Sequence, residues 1–350
     1  MTRSMRVFIM CCISVFAAGL MMIPKAVSAE TFNFTYSNFF PPSHIQSKLA
    51  ESWCKEVNER TDGKVNITYY AGNTLTKAPQ TYDAVVSQRA DIGMSCILYT
   101  RGRFPLVDVI NLPFGNPSGK FATAAFNELY DEFKPDEFSD TKVMYLHAHG
   151  PGLIHTKNKP VHTLAELEGM KIRSGGPVSE IVKALGATPV SMPMSETYQA
   201  LQKGVVEGAC YPEETNKGWK MAEVVDYTIA CYDTAYSTGF YVVMNKDKWN
   251  SLPSDVQKTI EQINAEWAVK HGKAWDTSDY EGVRYTLSLG NSLIGIDKEE
   301  AAKWKKAVQP VFDKYLETTE KRGVPGEKAL DSLNKMIDEY KQGNFESKYY

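Results

Sequence analysis

Leu164-Ala165-Glu166-Leu167-Glu168-Gly169-Met170-Lys171-Ile172-Arg173 passes from helical spacing through a glycine turn into a strand within ten residues. The same grammar recurs on both sides of it. Upstream, Phe32 to Tyr36 alternates as a strand, Ser43 to Arg60 carries apolar residues at helical spacing, and Val65 to Tyr70 alternates again. Tyr82 to Ser87 reads as helix and Asp91 to Cys96 as a buried strand. Downstream, Ser179 to Leu185, Ser195 to Lys203, Ser254 to Trp275, Lys298 to Tyr315 and Glu327 to Tyr340 read as helices, several opened by a Ser or Asp cap. Alternating helices and strands predict an α/β fold that turns mostly helical after about residue 240. No internal repeat, heptad run or low-complexity tract appears, which excludes solenoids and coiled coils.

The chain has 350 residues, is 43% hydrophobic and 23% charged, and has room for two cores. Its first thirty residues differ from the rest. Met1 to Arg6 carries two arginines and no acid, Val7 to Ile23 is nearly continuously apolar, and Val27-Ser28-Ala29 places small residues before a cleavage point. This is the layout of a secretory signal peptide, and the apolar stretch is near the lower limit for a spanning helix. Met10 and Cys11 before Cys12 disfavour a lipid anchor. Cleavage after Ala29 leaves 321 residues and removes Arg3, Arg6 and Lys25, taking the formal charge from −3 to −6. With no run of Lys or Arg, nucleic acid is excluded as a natural partner.

There is no G-x-S-x-G elbow, no H-E-x-x-H, no phosphate-binding glycine loop and no dinucleotide fingerprint. Four cysteines remain in the exported chain, Cys54, Cys96, Cys210 and Cys231, and none forms a C-x-x-C pair, so no zinc site is expected. An oxidising compartment permits a disulfide, for which Cys210 with Cys231 is the first pair to test; four buried free thiols is the other reading. His147 and His149 are the nearest approach to a metal pair, without a neighbouring carboxylate. Glu213-Glu214 reads as a solvated surface or turn. No catalytic set, metal site or cofactor site is read from these residues.

The segment Leu164 to Arg173 resembles the "dLkGlKiR" segment of the solute-binding proteins of TRAP (tripartite ATP-independent periplasmic) transporters, of the dicarboxylate-binding type. Glu196 to Gly208 is similar to their "EvYtALqtGvvDG" segment; Val85 to Gly93, Leu112-Pro113-Phe114 and Trp249 to Pro253 match others in family order. The resemblance implies an α/β, two-lobed periplasmic binding protein, type II-like, with a hinged ligand cleft and a long helix spanning both lobes. Lobe one is expected at 30–150 plus 238–280, and lobe two at 151–237 plus 281–350. Lobe closure buries a ligand and strengthens each charge contact by expelling water.

Within the resemblance, Arg173 matches the arginine that bridges the ligand carboxylate, for which a planar fork offering two parallel hydrogen bonds is suited. Gly152 stands where many members carry a second arginine, Tyr211 where an asparagine contacts ligand, and Cys96 where sugar-acid binders carry a carboxylate. Phe39, Phe40, Met194, Tyr236 and Gly176 align with further pocket positions. One cation among aromatic groups implies an aromatic or otherwise apolar monocarboxylate, captured without chemistry and delivered to the small and large integral membrane subunits. The resemblance implies a monomer without cofactor. Alternatives are a C4-dicarboxylate or other small organic acid as ligand, a periplasmic ligand sensor, or an enzyme turning over the bound acid.

Overall fold

The computed structural model describes residues 31–350, so the expected leader lies outside the described residues. β1 (Phe32–Asn38) and β2 (Val65–Tyr70) run parallel, Phe32 opposite Val65, on either side of α1 (Ile45–Arg60). His44 caps α1 by accepting the Gln46 N–H on Nδ1. α2 (Thr81–Val86) leads into β3 (Ile92–Cys96), which is buried along its whole length. α3 (Gly119–Phe133), capped by Ser118, precedes β4 (Thr141–Ala148). The chain then leaves this sheet for a second one, built from β5 (Gly152–Thr156), β6 (Lys171–Ser174), β7 (Thr188–Ser191), β8 (Gly208–Pro212) and β9 (Tyr227–Ala230). α4 (Val178–Ala184), α5 (Met194–Gln202) and α6 (Glu214–Gly218) connect its strands.

β10 (Gly239–Asn245) returns to the first sheet, which has the order β2-β1-β3-β10-β4 and is parallel except for β10. The second sheet, closed by β11 (Ser292–Gly295), runs β11-β9-β5-β8-β6-β7, with β5 antiparallel to both neighbours. Each sheet therefore holds one reversed strand beside the crossings at 149–151 and 231–238. β6, the strand read from Lys171 to Arg173, lies between β7 and β8. The helix read before it is a single 3-10 turn, Leu164–Leu167, closed by a Thr163–Glu166 capping box.

After α7 (Lys246–Asn250), α8 (Ser254–Ser288) runs 35 residues, about 52 Å, continuing past Trp275 to Ser288. It packs on α1, α3 and β4 of the first sheet and on α6 and β11 of the second. Trp53 Nε1 donates to Asn264 Oδ1 (3.0 Å) and Trp267 Nε1 to the Leu49 carbonyl (2.8 Å), while Asp279 Oδ1 accepts the Glu214 N–H (2.8 Å). The stretch read as one helix from Lys298 to Tyr315 is two, α9 (Lys298–Ala307) and α10 (Gln309–Arg322). Pro310 in the first turn of α10 has no N–H to continue α9. α11 (Gly326–Lys341) packs on α3, so the end of 281–350, expected with the second lobe, returns to the first sheet. No helix of the described residues is long and apolar enough to cross a membrane.

Buried titratable groups pull in opposite directions. Burial lowers His149 to about 4 and His155 and His271 to about 3, and raises Glu213 to about 7; Asp108 is raised to about 8 by burial and then by the charge of Glu137. The histidines stabilise the fold above their unfolded value near 6.5, and that contribution is lost as pH falls. The carboxylates contribute most below about 4, and that contribution is lost as pH rises toward 7 or 8. Between about pH 5 and 6.5 the two sets offset. The melting temperature is expected to be nearly flat there and to fall from pH 6.5 to 8, a slope that Asp108→Asn should reduce; a rise over that interval would contradict this balance.

Candidate functional site

Arg173 sits on β6 with its Cα opposite Val190 of β7 and Ala209 of β8, and its side chain is buried at 7% exposure. Nε and Nη2 donate to the Met192 carbonyl (3.1 and 3.0 Å) and Nη1 to the Cys210 carbonyl (3.2 Å). Those three bonds leave one N–H on each terminal nitrogen. Among the described residues no carboxylate pairs with this guanidinium. A buried cation whose protein partners are two carbonyls and the Tyr99 hydroxyl, with no carboxylate, is a site prepared for an anion. The Tyr99 hydroxyl lies beside the guanidinium and accepts the Met194 N–H (3.0 Å), so its own proton remains available to a ligand.

Arg173 opens into a narrow cavity with about 60 Å³ of space open to water-sized groups. Phe39, Phe40, Cys96, Met194, Tyr211 and Tyr236, all expected there, line it with Arg173. Phe39 and Phe40 follow β1 and stack on each other (4.4 Å between centroids); Phe39 faces Trp219 and Phe240, and Phe40 meets Trp275. Tyr211 on β8 stacks flat on His155 (3.8 Å) and donates its hydroxyl proton to Asn216 Oδ1 (3.2 Å). Burial pushes the Cys210 thiol up to about 12 and also raises Cys96, so both stay neutral. All four cysteines are free and buried, Cys210 and Cys231 included.

Gly176 is the exception among the expected residues. The turn after β6 brings Gly175 to this cavity, whereas Gly176 lines a separate opening of about 510 Å³ shared with Arg101, Glu180 and Lys314. Gly176 approaches Leu98 so closely that an added Cβ would lie 3.0 Å from the Leu98 carbonyl.

Glu213 and Glu214, read as solvated, are buried at 4% and 3%. Glu214 accepts from His44 Nε2 (2.8 Å) and from Thr215 Oγ1 (2.6 Å), joining the start of α1 to α6. His147 and His149 do not act as a pair. His147 Nδ1 accepts the Trp275 indole N–H (3.1 Å) and its ring stacks between Phe240 and His271, whereas His149 reaches the cavity. Among the described residues no group of three His, Cys, Asp or Glu side chains is placed to hold a metal.

Tyr99, His149, Trp219, Phe240 and Trp275 supply the further aromatic walls and were not expected there; Glu214, Thr215 and Thr238 add polar groups. Phe240 follows from β10, whose every residue is buried. Trp275 comes from α8, four residues on from His271 along the same buried face. Nothing local to Tyr99 or Trp219 marks them.

The family model of the bacterial extracellular solute-binding proteins, family 7, matches residues 36–319. A TRAP periplasmic solute-binding protein from Desulfovibrio salexigens is 35% identical, covering 87% of this chain and 95% of its own, with a TM-score of 0.77. One from Rhodoferax ferrireducens, solved with copurified benzoate, is 28% identical with a TM-score of 0.83 over 89% of this chain and 99% of its own. A marine metagenome protein specific for aromatic acid ligands, solved with metahydroxyphenylacetate, is also 28% identical with a TM-score of 0.83, over 88% and 99%. A C4-dicarboxylate-binding periplasmic protein of Rhodobacter capsulatus is 30% identical over 167 residues, 47% of this chain and 50% of its own.

Proposed function

Because the chain belongs to family 7 of the bacterial extracellular solute-binding proteins, the solute-binding subunits of TRAP transporters, we propose that it captures an aromatic or otherwise apolar monocarboxylate in the periplasm and delivers it, unchanged, to the membrane subunits. The observation that carries this reading is the buried, carboxylate-free Arg173 inside an aromatic cavity. A ligand carboxylate neutralises the guanidinium, and ring stacking with burial supplies the remaining affinity. The solved relatives with benzoate and metahydroxyphenylacetate support the aromatic class.

Gly152 supports a single carboxylate. A Cβ there would lie 2.5 Å from the Tyr236 ring, so this ring fills the volume that any longer side chain at 152 would need. Arg173 is then the one permanent cation among the lining residues, and a second carboxylate would meet aromatic walls and Glu214. In this reading residues 30–150 with 238–280 form one lobe and 151–237 with most of 281–350 the other, closing over the ligand. Their contacts include His44 with Glu214 and Tyr99 with the Met194 N–H.

Thermal unfolding with equal concentrations of phenylacetate, benzoate and succinate tests the class. The aryl acids are expected to raise the melting temperature more than succinate does, and to be recovered unchanged afterwards. Strongest stabilisation by succinate would overturn the monocarboxylate reading.

A further inference from the structure

His149 follows β4, and its main chain is fixed on both sides. Its N–H donates to the Thr238 carbonyl (3.3 Å), and its carbonyl accepts from Asn116 Nδ2 (3.1 Å) and Ser237 Oγ (2.7 Å). The imidazole is 4% exposed and stands edge-on to Tyr236 (5.5 Å) and Trp275 (6.2 Å). Nδ1 lies 2.6 Å from the Gly150 carbonyl. A carbonyl only accepts, so Nδ1 carries the proton and Nε2 presents a lone pair. Burial draws the group down to about 4, so the ring stays neutral at physiological pH.

The other buried histidines use their nitrogens differently. His44 and His155 engage both nitrogens with protein groups, as does His271 with Gln46 and Tyr145. His147 keeps Nε2 unpaired, but it is sealed from solvent and lines none of the cavity. His149 alone among these five combines a place in the cavity wall with a ring nitrogen that no described residue meets. Glu214, the carboxylate in that wall, already takes hydrogen bonds from His44 and Thr215, and the Tyr236 and Thr238 hydroxyls there can donate as well as accept, whereas His149 Nε2 can only accept. A ligand that is wholly apolar beyond its carboxylate would bury Nε2 without a donor, which is unfavourable.

We propose that the cavity selects an aryl monocarboxylate bearing a hydroxyl group, whose O–H donates to His149 Nε2 while the carboxylate rests on Arg173. This rests on the reading of Arg173 as the carboxylate site. His149 is thus a specificity-determining residue, an obligate acceptor that distinguishes a hydroxyl from hydrogen or from an ether.

Calorimetry at pH 7 with phenylacetate, its three ring-hydroxylated isomers and the methyl ether of the tightest isomer provides the test. At least one hydroxylated isomer is expected to bind about tenfold or more tighter than phenylacetate, and its methyl ether to lose that gain. His149→Phe, which keeps a ring against Tyr236 and Trp275 but has no acceptor, should bring the ratio of affinities for the tightest hydroxylated isomer and phenylacetate down to about one. The ligand series decides the question on the unaltered protein even if that variant does not fold. If phenylacetate binds but no hydroxylated isomer binds tighter, or if the gain survives in the methyl ether or in His149→Phe, the proposal fails while the Arg173 reading stands. If none of these acids binds, both fail.

Discussion

Arg173→Ala is expected to lower the affinity for phenylacetate, read by calorimetry, by about a hundredfold to a few thousandfold. The guanidinium has no carboxylate neighbour among the described residues, so its charge is free for the ligand. Without it, a carboxylate would be buried among Phe39, Tyr211 and Tyr236 with no cation. Stability should change much less, because losing donors to the Met192 and Cys210 carbonyls is offset by removing an uncompensated buried charge. Arg173→Lys should recover only part of the affinity, since an ammonium cannot give the paired geometry. Affinity of the alanine variant within threefold of the unaltered protein would sink the assignment.

Gly282→Ala should destabilise the fold by about 3 kcal/mol. Gly282 is a helical residue of α8, and a Cβ there would overlap the Glu213 carbonyl at the start of α6. Backbone faces backbone, so no side chain can swing aside. Alanine would otherwise stabilise a helix interior by about 1 kcal/mol, so any net loss reports the contact itself. α6 carries Glu214 and Thr215 into the cavity wall, and ligand affinity should fall with stability. Glu281→Ala, one residue earlier and exposed, should stay within about 0.5 kcal/mol of the parent in denaturant unfolding. Equal stability of the two variants would show that α6 can move away from α8 freely.

Much of the framework is legible in local patterns. β2 and β3 follow from runs of alternating or continuous apolar residues, and the turn at Gly169 leads into β6 as read. The break between α9 and α10 was also legible, in Pro310, but the apolar spacing around it hides the interruption. The site is less legible because its walls come from eight separate stretches of chain. Arg173 and the aligned aromatics are found through resemblance, not through periodicity. Tyr99 and Trp219 have no local signal, since only the path of the loop turns them inward. Glu213 and Glu214 mislead because sequence cannot show that α8 and His44 cover them. For His149 the residue was visible, but its tautomer depends on how the chain turns at Gly150.

The placement of β10 between β3 and β4 bears on the order in which the molecule can be built. β3 and β4 meet only through a strand that lies nearly a hundred residues beyond β4. No nascent or translocating chain shorter than about 245 residues can complete the first sheet. β1, β2 and β3 can pair early, but β3, buried along its whole length in the finished fold, keeps an open edge until the entire second sheet except β11 has been threaded past it. The two halves are thus interlocked in time as well as in space: an N-terminal half expressed alone is an unfinished sheet with a sticky edge, and aggregation rather than independent folding is its natural fate.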